Sequence, residues 1–540
     1  MMKVTVNGGS PVDPIRKTIP KGANLAKELP KFLNSLDHSR PGFCSCQVGT
    51  GKTFGTIHGV LPWVIERKLR MLYISSRVAN NDQLKEEIIK VTGQEDLLEK
   101  LTVAGLRDKK NFGFIDVLSY HKAYQYMIHE PEELKGYDIV IIDEIQALLE
   151  DSTYVGFSGE FFKEIPHIFA GAIRLYLSAT PDDILPLLVQ AEAPHTITVL
   201  HIPRDYSFVK PHFFSQKKVI QKAINEDNSD KKWYVFMSSI TAGKKFAEGI
   251  DCDCCFLNSE ERMNNPENWN EVIRKKSFPE KVAIFTGVVD VGVGFVDDEL
   301  QNVVIFSISP TTIIQVLGRK RRKSKNEIVN LFVYCPSIDA MKKRLEDNAT
   351  KREALTSFWV HKASFIQQYI LAAEKYDFRP LMHIRKDGSM EPNPLAYEYF
   401  KNEAKVIEKV LKYAKEKKDP YCFDRFVCRW LGIRVPPRSE SWLDPEINGT
   451  GKSDFFNYLN SHCGINMSED KFNKFMGAFP QKCVAAFGKG PSDRFDRPWG
   501  ATKFTNKIKE LELPYCLVED RATKTYRIEA HSAVEYTKED

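Results

Sequence analysis

The sequence predicts an α/β protein: two P-loop-type domains in tandem, each on a parallel sheet, then a mostly helical region and a C-terminal domain of winged-helix type. Three observations carry this expectation. Short apolar runs alternate with helical stretches twice over, once before and once after Pro203. A glycine-rich loop, Cys46-Gln47-Val48-Gly49-Thr50-Gly51-Lys52-Thr53, opens the first block. Three further motifs follow it in order: Asp143-Glu144-Ile145-Gln146, Ser178-Ala179-Thr180 and Gln315-x-x-Gly318-Arg319-x-x-Arg322.

The chain of 540 residues has room for three or four domains. Its 77 basic and 72 acidic residues leave a net charge of only +5, so any nucleic-acid surface must be local. No apolar run reaches the ~18–20 residues of a membrane span, and the first residues lack the apolar core of a signal peptide. The 11 scattered cysteines suit a reducing compartment, so a cytoplasmic setting, in a bacterium or a virus-infected cell, is expected. Cys252-x-Cys254-Cys255 has no partner cluster at zinc-site spacing and reads as a strand flank.

Taken in order, residues 1–40 read as a proline-containing lead-in. Residues 41–203 form the first α/β domain, with strands expected at 72–74, 115–118, 139–142 and 175–177. Near-continuous apolar strands of this kind suit a parallel sheet covered on both faces. Residues 204–345 form the second, with strands at 234–237, 282–285, 303–306 and 329–333. Ligands of such sheets bind at the carboxyl ends of the strands, where all four motifs fall. Residues 346–435 form a helical accessory region, helical at 350–375 and 395–417. The aromatic stretch 421–442 reads as core rather than as a platform for bases. Residues 436–540 follow a proline-containing linker, with helices expected at 454–462, 469–478 and 501–511 and a hairpin turning at Glu519–Ala522. In a winged helix, Lys503, Lys507, Lys509, Arg521, Lys524 and Arg527 would meet duplex phosphates.

The motifs carry a definite chemistry. Backbone N–H groups from Gly49 through Gly51 to Thr53 can wrap a triphosphate at a helix N-terminus. Lys52 supplies charge to the β- and γ-phosphates, and Thr53 ligates Mg²⁺. Asp143, at a strand tip, can hold Mg²⁺ through water, and Glu144 can orient and deprotonate an attacking water. ATP and Mg²⁺ are therefore the expected cofactors. Gln315 to Arg322 is expected on a helix, with Arg319 and Arg322 sharing a face and serving as fingers on the γ-phosphate. A second string, Asn448-Gly449-Thr450-Gly451-Lys452-Ser453, imitates the loop but lacks a preceding strand. It reads as a turn that starts a helix.

Over residues 40 to 340 these motifs resemble superfamily 2 helicases, whose two lobes are RecA-like domains. The resemblance implies further roles. Ser75, Ser76 and Arg77 look like the motif that grips the tracking strand's phosphates, and Ser119 like its companion. Ser238 and Ser239 resemble the equivalent contact in the second lobe. Ser178 and Thr180, with Thr286 and the run ending at Gly292, look like the segments that couple strand to nucleotide. Three departures stand out. Gln146 replaces the usual His or Asp, Gly294 stands where many relatives carry Asp or Asn, and residues 1–40 contain no Gln to read adenine. The flavour is nearest to viral and mobile-element DNA replication helicases. The implied function is an ATP-dependent helicase or translocase on single-stranded or forked DNA, with replication proteins as partners. An ATP-gated clamp or remodeller that does not unwind is the alternative. Polarity, the choice of DNA over RNA and oligomeric state stay open.

Overall fold

The computed structural model describes residues 12–76, 78–100, 103–258, 264–286, 294–324, 326–371, 378, 381–384, 388–488, 499–520 and 522–530. Arg77, the run Gly287 to Gly292, and Arg521 lie outside the described residues. The chain divides into two compact units, Met1–Lys210 with Ile224–Val435, and Pro211–Ala223 with Pro436–Asp540.

The larger unit contains two sheets. The first comprises β1 (Ile15–Thr18), β2 (Gly42–Ser45), β3 (Met71–Ser75), β4 (Ile115–Ser119), β5 (Ile139–Asp143), β6 (Ile173–Ser178) and β7 (Thr198–His201). Its order is β1-β7-β2-β6-β5-β3-β4, and every neighbouring pair is parallel. Successive residues serve opposite faces, which explains the unbroken apolar runs. Phe43, Leu72, Val140 and Tyr176 enter one core, while Cys44, Tyr73, Ile141 and Leu175 enter the other.

Residues 15–18 pair in register with β7, Ile15 opposite Thr198, so they are the edge of the first sheet and not a lead-in to it. Helix Leu25–Leu33 likewise packs onto the turn after the phosphate loop. A Cβ at Gly59 would fall 2.3 Å from the Ala26 carbonyl oxygen, so only glycine permits this approach.

The second sheet comprises β8 (Val209–Phe214), β9 (Lys232–Met237), β10 (Cys254–Leu257), β11 (Val282–Phe285), β12 (Leu300–Phe306) and β13 (Val329–Tyr334). Its order is β10-β11-β9-β12-β13-β8, and the division between units cuts its edge strand β8. Helix Ile338–Val360 begins eight residues ahead of the expected boundary and packs along helix Pro394–Lys417. Asn393 caps the latter and is fully buried. Its Nδ2 donates to the carbonyls of Ser152 and Val155, each at 3.0 Å, and to Ser158 Oγ at 2.9 Å. Phe423 and Phe426 are core residues of helix Phe423–Leu431, while Arg425 and Arg429 face solvent.

In the smaller unit, helix Thr450–Asn460, strand Met467–Ser468, helices Glu469–Phe487 and Ala501–Glu510, and strands Tyr515–Asp520 and Thr525–Ala530 follow one another. The strands form one antiparallel sheet with the last strand central. Phe455, Phe475, Phe479, Phe504 and Ile528 fill the core between helices and sheet. The loop-like string at 448–453 starts a helix: Gly449 has φ +87° and Thr450 opens helix Thr450–Asn460. A Cβ at Gly451 would lie 2.0 Å from the Ala485 carbonyl oxygen, so this glycine serves a close helix crossing. Among the described residues no helix is long and apolar enough to cross a membrane.

Candidate active site

The carboxyl ends of the parallel strands gather the motif residues along one edge of each sheet. Cys46 follows β2, Asp143 ends β5, Ser178 ends β6, Ser75 ends β3 and Ser119 ends β4. In the second sheet Ser238 follows β9 and Thr286 follows β11. Sheet order makes β2, β6 and β5 adjacent, and this brings the phosphate loop to the acidic pair.

The loop is shaped by two glycines in the left-handed region, Gly49 at φ +85° and Gly51 at φ +86°, a conformation other residues adopt only with strain. Thr50 Oγ1 donates to the Gln47 carbonyl at 2.8 Å. Gln47 pins the loop to Asp205, donating to its carbonyl at 2.9 Å and accepting from its N–H at 2.6 Å. Helix formation begins at Lys52, so its N-terminal dipole points into the loop.

Lys52 is buried, and its Nζ lies 3.6 Å from Glu144 Oε1. Burial opposes its charge, but Glu144, Cys46 and Asp143 outweigh burial and raise its pKa. Glu144 itself has φ +53°, a strained setting for a glutamate. Gln146 Nε2 donates to Glu144 Oε2 at 2.7 Å, and Gln315 Nε2, from the second lobe, reaches the same oxygen at 3.3 Å. Arg319 Nη2 donates to Gln315 Oε1 at 3.2 Å. Burial would raise the Glu144 carboxyl, but Lys52, Arg319 and the two amides prevail and hold it below the usual range.

Asp143 behaves in the opposite sense. Burial first, then Glu144, push its carboxyl up to about 6, although Tyr73 donates its hydroxyl to Oδ2 at 2.5 Å. Tyr120 donates to the Asp143 carbonyl at 2.7 Å and fixes the strand tip. Ser178 Oγ accepts from the Thr180 N–H at 3.0 Å and shapes the turn after β6.

The second lobe meets the loop at Gly318, where a Cβ would lie 2.3 Å from Val48 Cβ. The expected helix ends earlier than its motif. It spans Pro310–Leu317 with Gly318 as C-cap, so Arg319 and Arg322 do not share a helix face. Arg319 lies in the turn that follows, its N–H bonded to the Val316 carbonyl at 3.0 Å, and Lys320 then bridges Phe295: Phe295 N–H donates to the Arg319 carbonyl at 2.7 Å, and Arg321 N–H to the Phe295 carbonyl at 2.8 Å. Arg322 follows the bridge. Its guanidinium stacks on Phe208, 3.7 Å from the ring centre.

Three of the predicted serines divide into two groups. Ser119 and Ser239 cap helices, accepting from Lys122 N–H at 3.1 Å and Ala242 N–H at 3.3 Å. Ser238 is exposed and lines a cavity of about 600 Å³ with Phe306, Ser309, Tyr334 and Arg344. The sequence reading missed Tyr73, Gln47 and Arg321. Tyr73 reaches Asp143 only because β3 lies beside β5, an adjacency that spacing along the chain does not encode.

Several buried polar atoms at this site have no protein partner: Asp143 Oδ1, Thr180 Oγ1, Thr286 Oγ1, Arg319 Nε and Arg321 Nη1. Buried polar groups are ordinarily satisfied, so this donor and acceptor set fits a polyanion with its bound cation.

Residues 21–183 match the family model described as "Type III restriction enzyme, res subunit". The motif order, the tandem parallel sheets and this match resemble those of superfamily 2 helicases, a class of ATP hydrolases. Among solved structures, the chain resembles S. cerevisiae Dbp5 bound to RNA and ADP BeF3, at 15% identity, 69% coverage of this chain, 89% of that one and a TM-score of 0.41. It also resembles Mycobacterium smegmatis helicase Lhr bound to ssDNA and AMP-PNP, at 13% identity, 94% and 58% coverage and a TM-score of 0.42. A fragment of a putative HsdR subunit of a type I restriction enzyme from Vibrio vulnificus YJ016 shows 15% identity, 57% and 62% coverage and a TM-score of 0.39. No curated protein matches the chain.

Proposed function

We propose that this chain is an ATP-driven translocase of DNA that separates strands at single-stranded or forked sites, in the replication of a phage, plasmid or mobile element. One observation carries the motor reading. A continuous polar chain, Lys52–Glu144–Gln315–Arg319, joins the phosphate loop of one lobe to the second lobe. Lys52 with the N–H groups around Gly49, Thr50 and Gly51 holds the β- and γ-phosphates, and Glu144 orients the attacking water and accepts its proton. Gln315 sets the Glu144 carboxylate from across the cleft, and Arg319 meets charge on the γ-phosphate. Thr53 and Asp143 would hold Mg²⁺, which neutralises phosphate charge when bound.

ATP favours the closed cleft because both lobes touch its terminal phosphate, and hydrolysis removes that bridge. Ser75, Ser76 and Ser119 grip strand phosphates from the first lobe, and Ser238 and Ser239 from the second. Alternate grip and release moves the strand. Ser178, Thr180 and Thr286 lie between grip and nucleotide and couple the two. Phosphate contacts of this sort carry little sequence information. The choice of DNA is supported by the winged-helix-like order of elements in the smaller unit and by the match to a restriction-subunit model.

The test compares the parent chain with Lys52→Ala on single-stranded, duplex and forked DNA and on RNA. The variant is expected to lose about 10²-fold or more of its stimulated ATPase rate, and the parent to displace a strand from forked DNA. Equal turnover in variant and parent rejects the site. Stronger stimulation by RNA rejects the DNA assignment. ATPase without displacement leaves a clamp or translocase that does not unwind.

A further inference from the structure

The arginine motif breaks its own spacing in this chain. A helical motif would pair Arg319 with Arg322, three residues on. Here Gly318 ends the helix, Arg319 turns, and Lys320 forms a single bridge with Phe295. Extended backbone alternates its side chains with period two. Lys320, the bridged residue, therefore turns to the side opposite its neighbours Arg319 and Arg321. The contacts agree. Lys320 is buried against the Asp297 carbonyl at 2.7 Å and pairs with Glu327, and Arg322 stacks on Phe208.

Arg321 lies directly on the phosphate loop. A Cβ at Gly49 would sit 2.4 Å from its Nη1. On its other flank, a Cβ at Gly294 would sit 2.5 Å from its Nε. Gly294 is the position where the resemblance leads one to expect Asp or Asn, and glycine there leaves the space this guanidinium takes. Nη1 is buried with no hydrogen-bond partner. Burial first, then the neighbouring Arg319, pull its pKa down to about 10, against an opposing pull from Glu144.

We propose that Arg321, and not Arg322, is the second guanidinium that meets the γ-phosphate of ATP, acting beside Arg319. The proposal rests on the ATPase reading above and assigns a residue within it. A guanidinium facing the terminal phosphate stabilises charge spread over its equatorial oxygens as the attacking water's oxygen bonds to phosphorus and the bond to the β–γ bridging oxygen breaks. Lysine cannot reproduce the planar fork at such a site. The Gly294 site supplies an independent lever: a methyl group there displaces Arg321 without changing it.

The experiment measures DNA-stimulated ATPase kinetics and binding of a fluorescent ATP analogue for the full chain carrying Arg321→Lys, Arg322→Lys, Gly294→Ala or Lys52→Ala. Arg321→Lys is expected to lose about 10²-fold or more in kcat while nucleotide Kd changes by no more than about threefold. Gly294→Ala should reproduce that split between kcat and Kd. The loss in Arg322→Lys should be at least about tenfold smaller than in Arg321→Lys. A larger loss in Arg322→Lys than in Arg321→Lys overturns the proposal, as does full turnover in Gly294→Ala when Arg321→Lys fails to fold. An inactive Lys52→Ala beside an active Arg321→Lys sinks this assignment alone. An active Lys52→Ala sinks the ATPase reading beneath it.

Discussion

Asp143 sits where its charge is opposed. It is buried beside Glu144, one oxygen accepts from Tyr73 and the other has no partner. Its carboxyl is raised from 3.8 to about 6. Between those values the folded chain holds a proton that the unfolded chain releases, so this group's contribution weakens the fold as pH rises through that window and costs most above about 6. Asn at 143 does not titrate. Asp143→Asn is therefore expected to raise the melting temperature at pH 8, by about 1–3 kcal/mol of stability, while abolishing ATPase activity. The gain should shrink as pH falls and vanish near pH 4, as differential scanning calorimetry would show; a gain equal at pH 8 and pH 4 excludes buried charge as its cause. Lys52, Glu144 and Gln315 were legible because each chemistry demands its residue type at a fixed place after a strand or loop. Arg321 was not, because the spacing assumes a helix that Gly318 ends.

At the level of elements, apolar runs located the inner strands of both sheets, since burial on two faces leaves no polar alternation to confuse them. Edge strand β1 escaped notice because all four of its residues, Ile15 to Thr18, are exposed. The helical region was legible in composition, but its attachment was not. That attachment depends on Asn393, whose one amide satisfies Ser152, Val155 and Ser158 while its Oδ1 accepts from the Leu395 N–H at 3.1 Å. Asn393→Ala removes a helix cap worth about 1 kcal/mol and strands two buried carbonyls at about 1–3 kcal/mol each. Chemical denaturation should show a loss of about 3–7 kcal/mol in the larger unit. Asn393→Asp keeps the cap acceptor but sets a buried carboxylate against two carbonyl oxygens, so at neutral pH it should recover none of the loss. Stability unchanged in Asn393→Ala would mean that apolar packing alone docks helix Pro394–Lys417.

Across the whole molecule, each compact unit has an apolar core of its own, and only the larger one carries the phosphate loop and the acidic pair. Separate cores permit separate cooperative transitions. A ligand stabilises only the unit that binds it, by about 2.7 kcal/mol at a hundredfold excess over Kd. Calorimetry of the full chain should resolve two transitions, of which ADP with Mg²⁺ raises only one. Gly451→Leu should move the other. Its side chain must enter the space next to the Ala485 carbonyl, at a cost of about 1–3 kcal/mol, and a unit of this size then melts on the order of 10 °C lower. Below that transition the variant should keep its ATPase rate, because Asn448–Ser453 serves a helix crossing and not a nucleotide. If Gly451→Leu instead destroys ATPase activity while both transitions stay in place, the second loop-like string binds phosphate after all.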